Sequence, residues 1–164
     1  MVDSDLSPSH RPSVIRSAAH LQEALQELVR VLQSRDRALA SHHGLSVSQA
    51  HALMALNGSG PMTVTTLGEQ LHLEKSTASR LAKGLLVRGL VRKRSPASDD
   101  RKVILQLTEQ GIRLSRKVLN DLSDECVRLL ESMNPEEREG IPGILGRLSR
   151  ELVAGYSSSE PSAS

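Results

Sequence analysis

The chain has 164 residues, 38% hydrophobic and 24% charged, with a formal net charge of +2 and a single cysteine. Phe and Trp are absent and Tyr156 is the only aromatic residue, which excludes modules that stack unpaired bases on aromatic platforms. One cysteine excludes an intrachain disulfide, no Cys-x-x-Cys or His-x-x-x-His spacing offers a structural zinc site, and no window approaches the ~18 apolar residues of a membrane span, so a cytoplasmic protein, neither exported nor membrane-embedded, is expected.

Residues 1–12 and 155–164 are rich in Ser, Pro and charge and read as disordered tails around one folded domain at 13–154. From Val14 to about Ser41, Ala18, Leu21, Leu25, Leu28 and Leu32 recur at spacings of three and four, the period of a long amphipathic helix that Gly44 ends. Ser46 is placed to cap a second helix, which carries Ala50, Leu53, Met54 and Leu56 as far as the breaker Asn57-Gly58-Ser59-Gly60-Pro61. A short third helix, about Val64 to Leu71, connects through His72, Leu73 and Glu74 to a fourth, Lys75 to about Arg88. Two helices so close form a helix-turn-helix.

In the fourth helix Ala78, Leu81, Ala82, Leu85 and Leu86 share one face, and Lys75, Ser76, Ser79, Arg80 and Lys83 share the other. Gly89 stops this helix. Leu90 to Ser95 reads as a strand, Pro96 to Asp100 as a turn, and Val103 to Leu107 as the returning strand. A hairpin directly after a helix-turn-helix makes a winged helix, so the expected fold is mainly α with a small β-hairpin and a head at about 46–107. Thr108 and Glu109 suit the start of a fifth helix, along which Ser115, Leu119, Leu122, Cys126, Leu129 and Met133 form a heptad-like seam that needs a partner helix. Cys126 on that seam is expected to pack as a small hydrophobe. Asn134-Pro135-Glu136-Glu137 opens a sixth helix with Ile141, Ile144, Leu145, Leu148 and Leu152 as its stripe. Gly140, Pro142, Gly143 and Gly146 weaken it, so packing must hold it, with a kink at Pro142.

Charge is distributed unevenly. Residues 74–102 net +6 and the remainder nets −4. A helix entering the major groove needs small polar or basic side chains on its outer face, and Lys75, Ser76, Thr77, Ser79 and Arg80 meet that need. Arginine can read guanine bidentately, while Lys75 and Lys83 neutralise phosphates. The hairpin adds Arg94, Arg101 and Lys102. Asp99, two residues before Arg101 across the turn, can aim that guanidinium into a narrow minor groove. The alternatives are a solvated helix face and an ordinary surface ion pair, the second worth only about 0–1 kcal/mol. No nucleophile elbow, phosphate-cradling loop or metal dyad appears, so neither an enzyme nor a cofactor or metal site is expected.

The run Lys75-Ser76-Thr77-Ala78-Ser79-Arg80-Leu81, then Gly89-Leu90-Val91, Asp99-Asp100-Arg101-Lys102 and Leu107-Thr108-Glu109-Gln110-Gly111, resembles the signature of the MarR (multiple-antibiotic-resistance regulator) group of bacterial winged-helix transcription factors. The resemblance covers about residues 14–153. It implies a homodimer joined through helices at about 13–42 and 108–154, with two heads on a pseudopalindromic DNA operator and a small effector acting between heads and dimerisation helices. It assigns the wing arginine to Arg101, its orienting aspartate to Asp99 and the recognition helix to Lys75–Arg88. Cys126 lies too late for the family's oxidation-sensing cysteine, and His42, His43 and His51 have no histidine after His72 to complete a zinc-sensing set. A repressor is the resulting expectation. Its rival is a winged helix that docks an acidic protein.

Overall fold

The computed structural model describes residues 11–95 and 103–157. Along them run α1 (Arg11–His42), α2 (Val47–Ser59), β1 (Met62–Thr63), α3 (Val64–Gln70), α4 (Lys75–Val87), β2 (Val91–Arg94), β3 (Ile104–Leu107), α5 (Glu109–Glu131) and α6 (Pro135–Ser157). The chain divides into two compact units, one ending at Leu119 and the other beginning at Asn120, so the boundary falls inside α5 rather than at the end of the wing.

In the first unit Leu53, Leu67, Leu85, Leu90 and Leu105 are at most 1% exposed, and Val118 from the early turns of α5 is fully buried. These side chains come from α2, α3, α4, the segment before β2, and β3, and with Met62 of β1 and Val91 of β2 also buried, every element of the head contributes to its core. The sheet is antiparallel with order β1-β3-β2, and therefore has three strands where sequence reading expects two. β1 pairs Met62 with Leu105 and Thr63 with Ile104. Two residues are too few to show an alternating pattern, which is why β1 is invisible in the sequence.

Local signals end the helices as the sequence implies. Gly44 has φ +63°, and Leu45 donates its N–H to Ala40 O at 2.8 Å, closing α1 with a buried Leu45–Ala40 pair. Ser46 and Gln49 form a reciprocal capping box at the start of α2. Three boundaries differ from expectation. α1 begins at Arg11 and α6 runs to Ser157, both inside stretches read as tails, and α2 continues through Asn57 and Gly58 to Ser59. Buried Leu53 and Leu56 anchor that last turn, so packing overrides the weak helix propensity of Asn-Gly. The remaining tail residues, 1–10 and 158–164, lie outside the described residues.

The second unit contains the end of α5 and α6. Asn134 caps α6, its Oδ1 accepting from Glu137 N at 2.9 Å while Glu137 Oε2 accepts from Asn134 N at 3.0 Å. The helix continues through Pro142. Cys126 is exposed in the single chain, on the seam for which a partner helix is expected. Among the described residues no helix is long and apolar enough to cross a membrane.

Candidate nucleic-acid interface

The helix-turn-helix is built on two close backbone approaches. Just past the end of α3, His72 has φ +51°, a left-handed conformation more often given to glycine, and Leu73 N–H reaches back to Gly68 O at 2.8 Å. A Cβ on Gly68 would lie 3.0 Å from Ala78 Cβ and 3.3 Å from Leu73 O. The crossing of α3 and α4 therefore depends on small residues at 68 and 78. Thr63 caps α3 by accepting from Thr66 N at 3.1 Å. A cleft of about 440 Å³ between α3 and the first turns of α4 is bordered by Lys75 and Ser79.

α4 presents two chemically opposite faces. Ala78, Ala82 and Leu85 are buried, whereas Lys75, Ser76, Ser79, Arg80 and Lys83 are exposed. Thr77 is half-buried, and its Oγ1 accepts from Arg80 Nη2 at 3.2 Å, which restrains the guanidinium over the helix surface. Lys75 and Lys83 have no carboxylate partner among the described residues. Their charges remain available to an external anion.

The far end of α4 is held from three directions. Gly89 at φ +67° closes it, with Leu90 N–H bonded to Leu85 O and Gly89 N–H to Leu86 O, each at 3.0 Å. Arg88 Nη1 donates at 2.9 Å to Gln49 Oε1, the same oxygen that accepts from Ser46 N at 3.1 Å. Thr108 Oγ1 donates to Gly89 O at 2.7 Å and accepts from Gly111 N at 3.1 Å, so the cap of α5 is also a clasp on the end of α4. A Cβ on Gly111 would fall onto Leu90 O and lie 3.1 Å from Leu107 Cδ2. Gln49 is readable from its place three residues after Ser46. Nothing in the sequence marks Gly111 as a contact point.

On β2, Arg92 stands opposite Gln106 and donates to Gln106 Oε1 from Nε at 3.3 Å and Nη2 at 3.2 Å. Lys93 and Arg94 are exposed, without a carboxylate partner among the described residues. The structure thus gathers Lys75, Ser76, Ser79, Arg80 and Lys83 on one helix face, with Thr77 beneath Arg80, and carries Arg94 on a separate strand. Asp99, Arg101 and Lys102 lie outside the described residues.

Comparisons with known proteins bear on this arrangement. Residues 43–102 match the sequence pattern of the MarR family. The chain is 31% identical over 108 residues to YfiV of Bacillus subtilis (strain 168), an HTH-type transcriptional regulator, the alignment covering 66% of this chain and 68% of that protein. It is similar to the solved structure of a MarR family protein from Bacillus stearothermophilus, with a TM-score of 0.77, 26% identity, and coverage of 84% of this chain and 96% of that one. It also shares its fold with an S. aureus MepR mutant solved bound to an oligodeoxyribonucleotide, at a TM-score of 0.57, 19% identity, and coverage of 80% and 97%.

Proposed function

The chain belongs to the MarR family and is a DNA-binding transcriptional regulator of the helix-turn-helix type, and from that premise we propose that it acts as a homodimeric repressor. Its two heads read the halves of a pseudopalindromic duplex operator in the cytoplasm, and binding there blocks a promoter. Lys75, Ser76, Thr77, Ser79 and Arg80 face base edges and phosphates, and Lys83, Arg94 and Lys102 neutralise backbone charge. Asp99 directs Arg101 into the minor groove.

The observation that carries this reading is the outward face of α4. It holds cations without carboxylate partners among the described residues, on a helix whose opposite face is locked into the core and whose end is clasped by Gln49 and Thr108. A charged surface held so rigidly suits a ligand of fixed shape, and the groove of duplex DNA is one. The dimer is supported by apolar side chains left in solvent by the single chain, including Val29 and Val31 on α1 and Leu129, Leu145 and Leu152 in the second unit. Two heads must then meet half-sites about one helical turn, roughly 34–36 Å, apart. A small effector that favours a different spacing of the heads would release the DNA.

The test is binding to duplex fragments as salt is raised. Affinity should fall steeply with salt, and Arg101→Ala should weaken operator binding by about 1–3 kcal/mol while leaving the fold intact. Failure to retain any duplex at low salt would overturn the regulator reading. Unchanged affinity of Arg101→Ala would remove the wing from it. A ligand carried through purification and found by mass spectrometry would identify the effector, and addition of that compound should weaken operator binding.

A further inference from the structure

Val87 is 80% exposed, more than any other large hydrophobic side chain among the described residues. It ends α4, the helix proposed above to enter the major groove. Its angular position is what singles it out. At ~100° per residue, Val87 projects within about 40° of Ser76, Arg80 and Lys83, and almost opposite Leu85. It therefore sits in the middle of the polar outward stripe, facing away from the core that Ala78, Ala82 and Leu85 enter.

The exposure is not that of a frayed helix end. Leu90 N–H to Leu85 O and Gly89 N–H to Leu86 O close the last turn, and Arg88, the next residue, is bonded to Gln49. A β-branched side chain on such a turn has few rotamers and points in a defined direction. Among the described residues no packing within the head explains it, because Leu85 and Leu90 already fill the interior on either side. In a groove lined by base edges the one apolar feature is the C5-methyl group of thymine, and apolar side chains are the groups that read it.

We infer that Val87 is a specificity-determining residue that contacts a thymine methyl in the major groove, at the end of the half-site that meets the last turn of α4. The polar residues of the stripe, Ser76 and Arg80, then read an adjoining stretch ~10–16 Å further along the helix axis. This inference rests on the DNA-reading role of α4, and its test separates the two.

The probe is the duplex selected by the wild-type protein from random-sequence DNA, with its thymines replaced one at a time by deoxyuridine, which removes only the methyl group. The wild type should lose about three- to fourfold in affinity at one thymine of each half-site. Val87→Ser should bind the all-thymine duplex about as weakly as the wild type binds the deoxyuridine form, and should be indifferent to that replacement. Its thermal midpoint and its affinity for random duplex should be unchanged, which a merely structural role would not predict. A wild type indifferent to every thymine replacement, or a Val87→Ser protein with undiminished sensitivity, overturns the inference while leaving the regulator reading intact. If the wild type selects and retains no duplex, the role of α4 fails first, and the assignment of Val87 with it.

Discussion

In the first unit five leucines reach 0–1% exposure, whereas between Asn120 and Gly155 no side chain among the described residues is buried. Both units are nevertheless largely helical, with side-chain caps on α2 and α3 in the first and on α6 in the second. α5 carries both regimes. Its early residues Gly111, Ser115 and Val118 are buried, while further along Cys126, Val127, Leu129 and Leu130 face solvent. Secondary structure is thus a poor guide to where stability resides. The head is closed by its own side chains, and the second unit keeps a heptad-spaced apolar stripe whose described residues are exposed or half-buried. At about 25 cal/mol per Å² of apolar surface, that stripe is unused stabilisation until another surface meets it.

The sharpest way to break this comparison is to place a charge on the stripe. Leu129 is 51% exposed, so Leu129→Asp should cost an isolated chain little. Beneath a second copy it would bury an unpaired carboxylate, at a cost of several kcal/mol. The dissociation constant of the proposed homodimer should rise at least ~100-fold in sedimentation experiments over graded concentrations. An unchanged constant would mean that the stripe does not form the interface, and the second unit would need another source of stability.

Glycines probe the same contrast from the backbone. Gly111→Ala would drive a Cβ onto Leu90 O, between an α5 cap and an α4 cap that cannot both move, and should destabilise the protein by about 3 kcal/mol in urea unfolding. In α6, an added Cβ on Gly143 meets no atom within 4 Å in the single chain. Gly143→Ala should therefore stabilise by about 0.5–1 kcal/mol through helix propensity alone. A loss at Gly143 would put that face of α6 against a partner's backbone. A loss at Gly111 under ~0.5 kcal/mol would show that the clasp between α5 and α4 is loose.

The same pair shows what the sequence could and could not express. Helix positions, the helix-turn-helix, the two faces of α4 and the caps at Ser46, Thr108 and Asn134 were legible because each depends on spacing within a few residues. Gly111 was not. In sequence it is a helix-weakening residue near a start, and only the approach of Leu90, 21 positions earlier, gives it a purpose. Ser115 reads as one member of the α5 seam, yet its hydroxyl is fully buried and donates to Asn57 Oδ1 at 3.3 Å and Ile112 O at 3.0 Å, which assigns that turn to the head. His72 occupies a left-handed position that a glycine would have advertised. Cys126 holds a seam position, which in sequence reads as packed against a partner helix, and the single chain leaves it exposed.

The smallest effect concerns how the head is joined to itself. Gln49 Oε1 serves two donors, Ser46 N in the cap of α2 and Arg88 Nη1 at the end of α4, and both bonds are exposed. Exposed bonds of this kind contribute about 0.5–1 kcal/mol each, so Gln49→Ala should lose about 1 kcal/mol and Arg88→Ala about half of that. Because one oxygen accepts both bonds, the double mutant should lose less than the sum, with a coupling of about 0.5 kcal/mol. Ser46→Ala combined with Arg88→Ala supplies the control, since those residues meet only through Gln49. Strict additivity between Gln49 and Arg88 would leave the glycine closure at Gly89 and the Thr108 clasp as the restraints on the end of α4. The helix that carries the cationic face would then be held by the core and by α5, with no help from α2's cap.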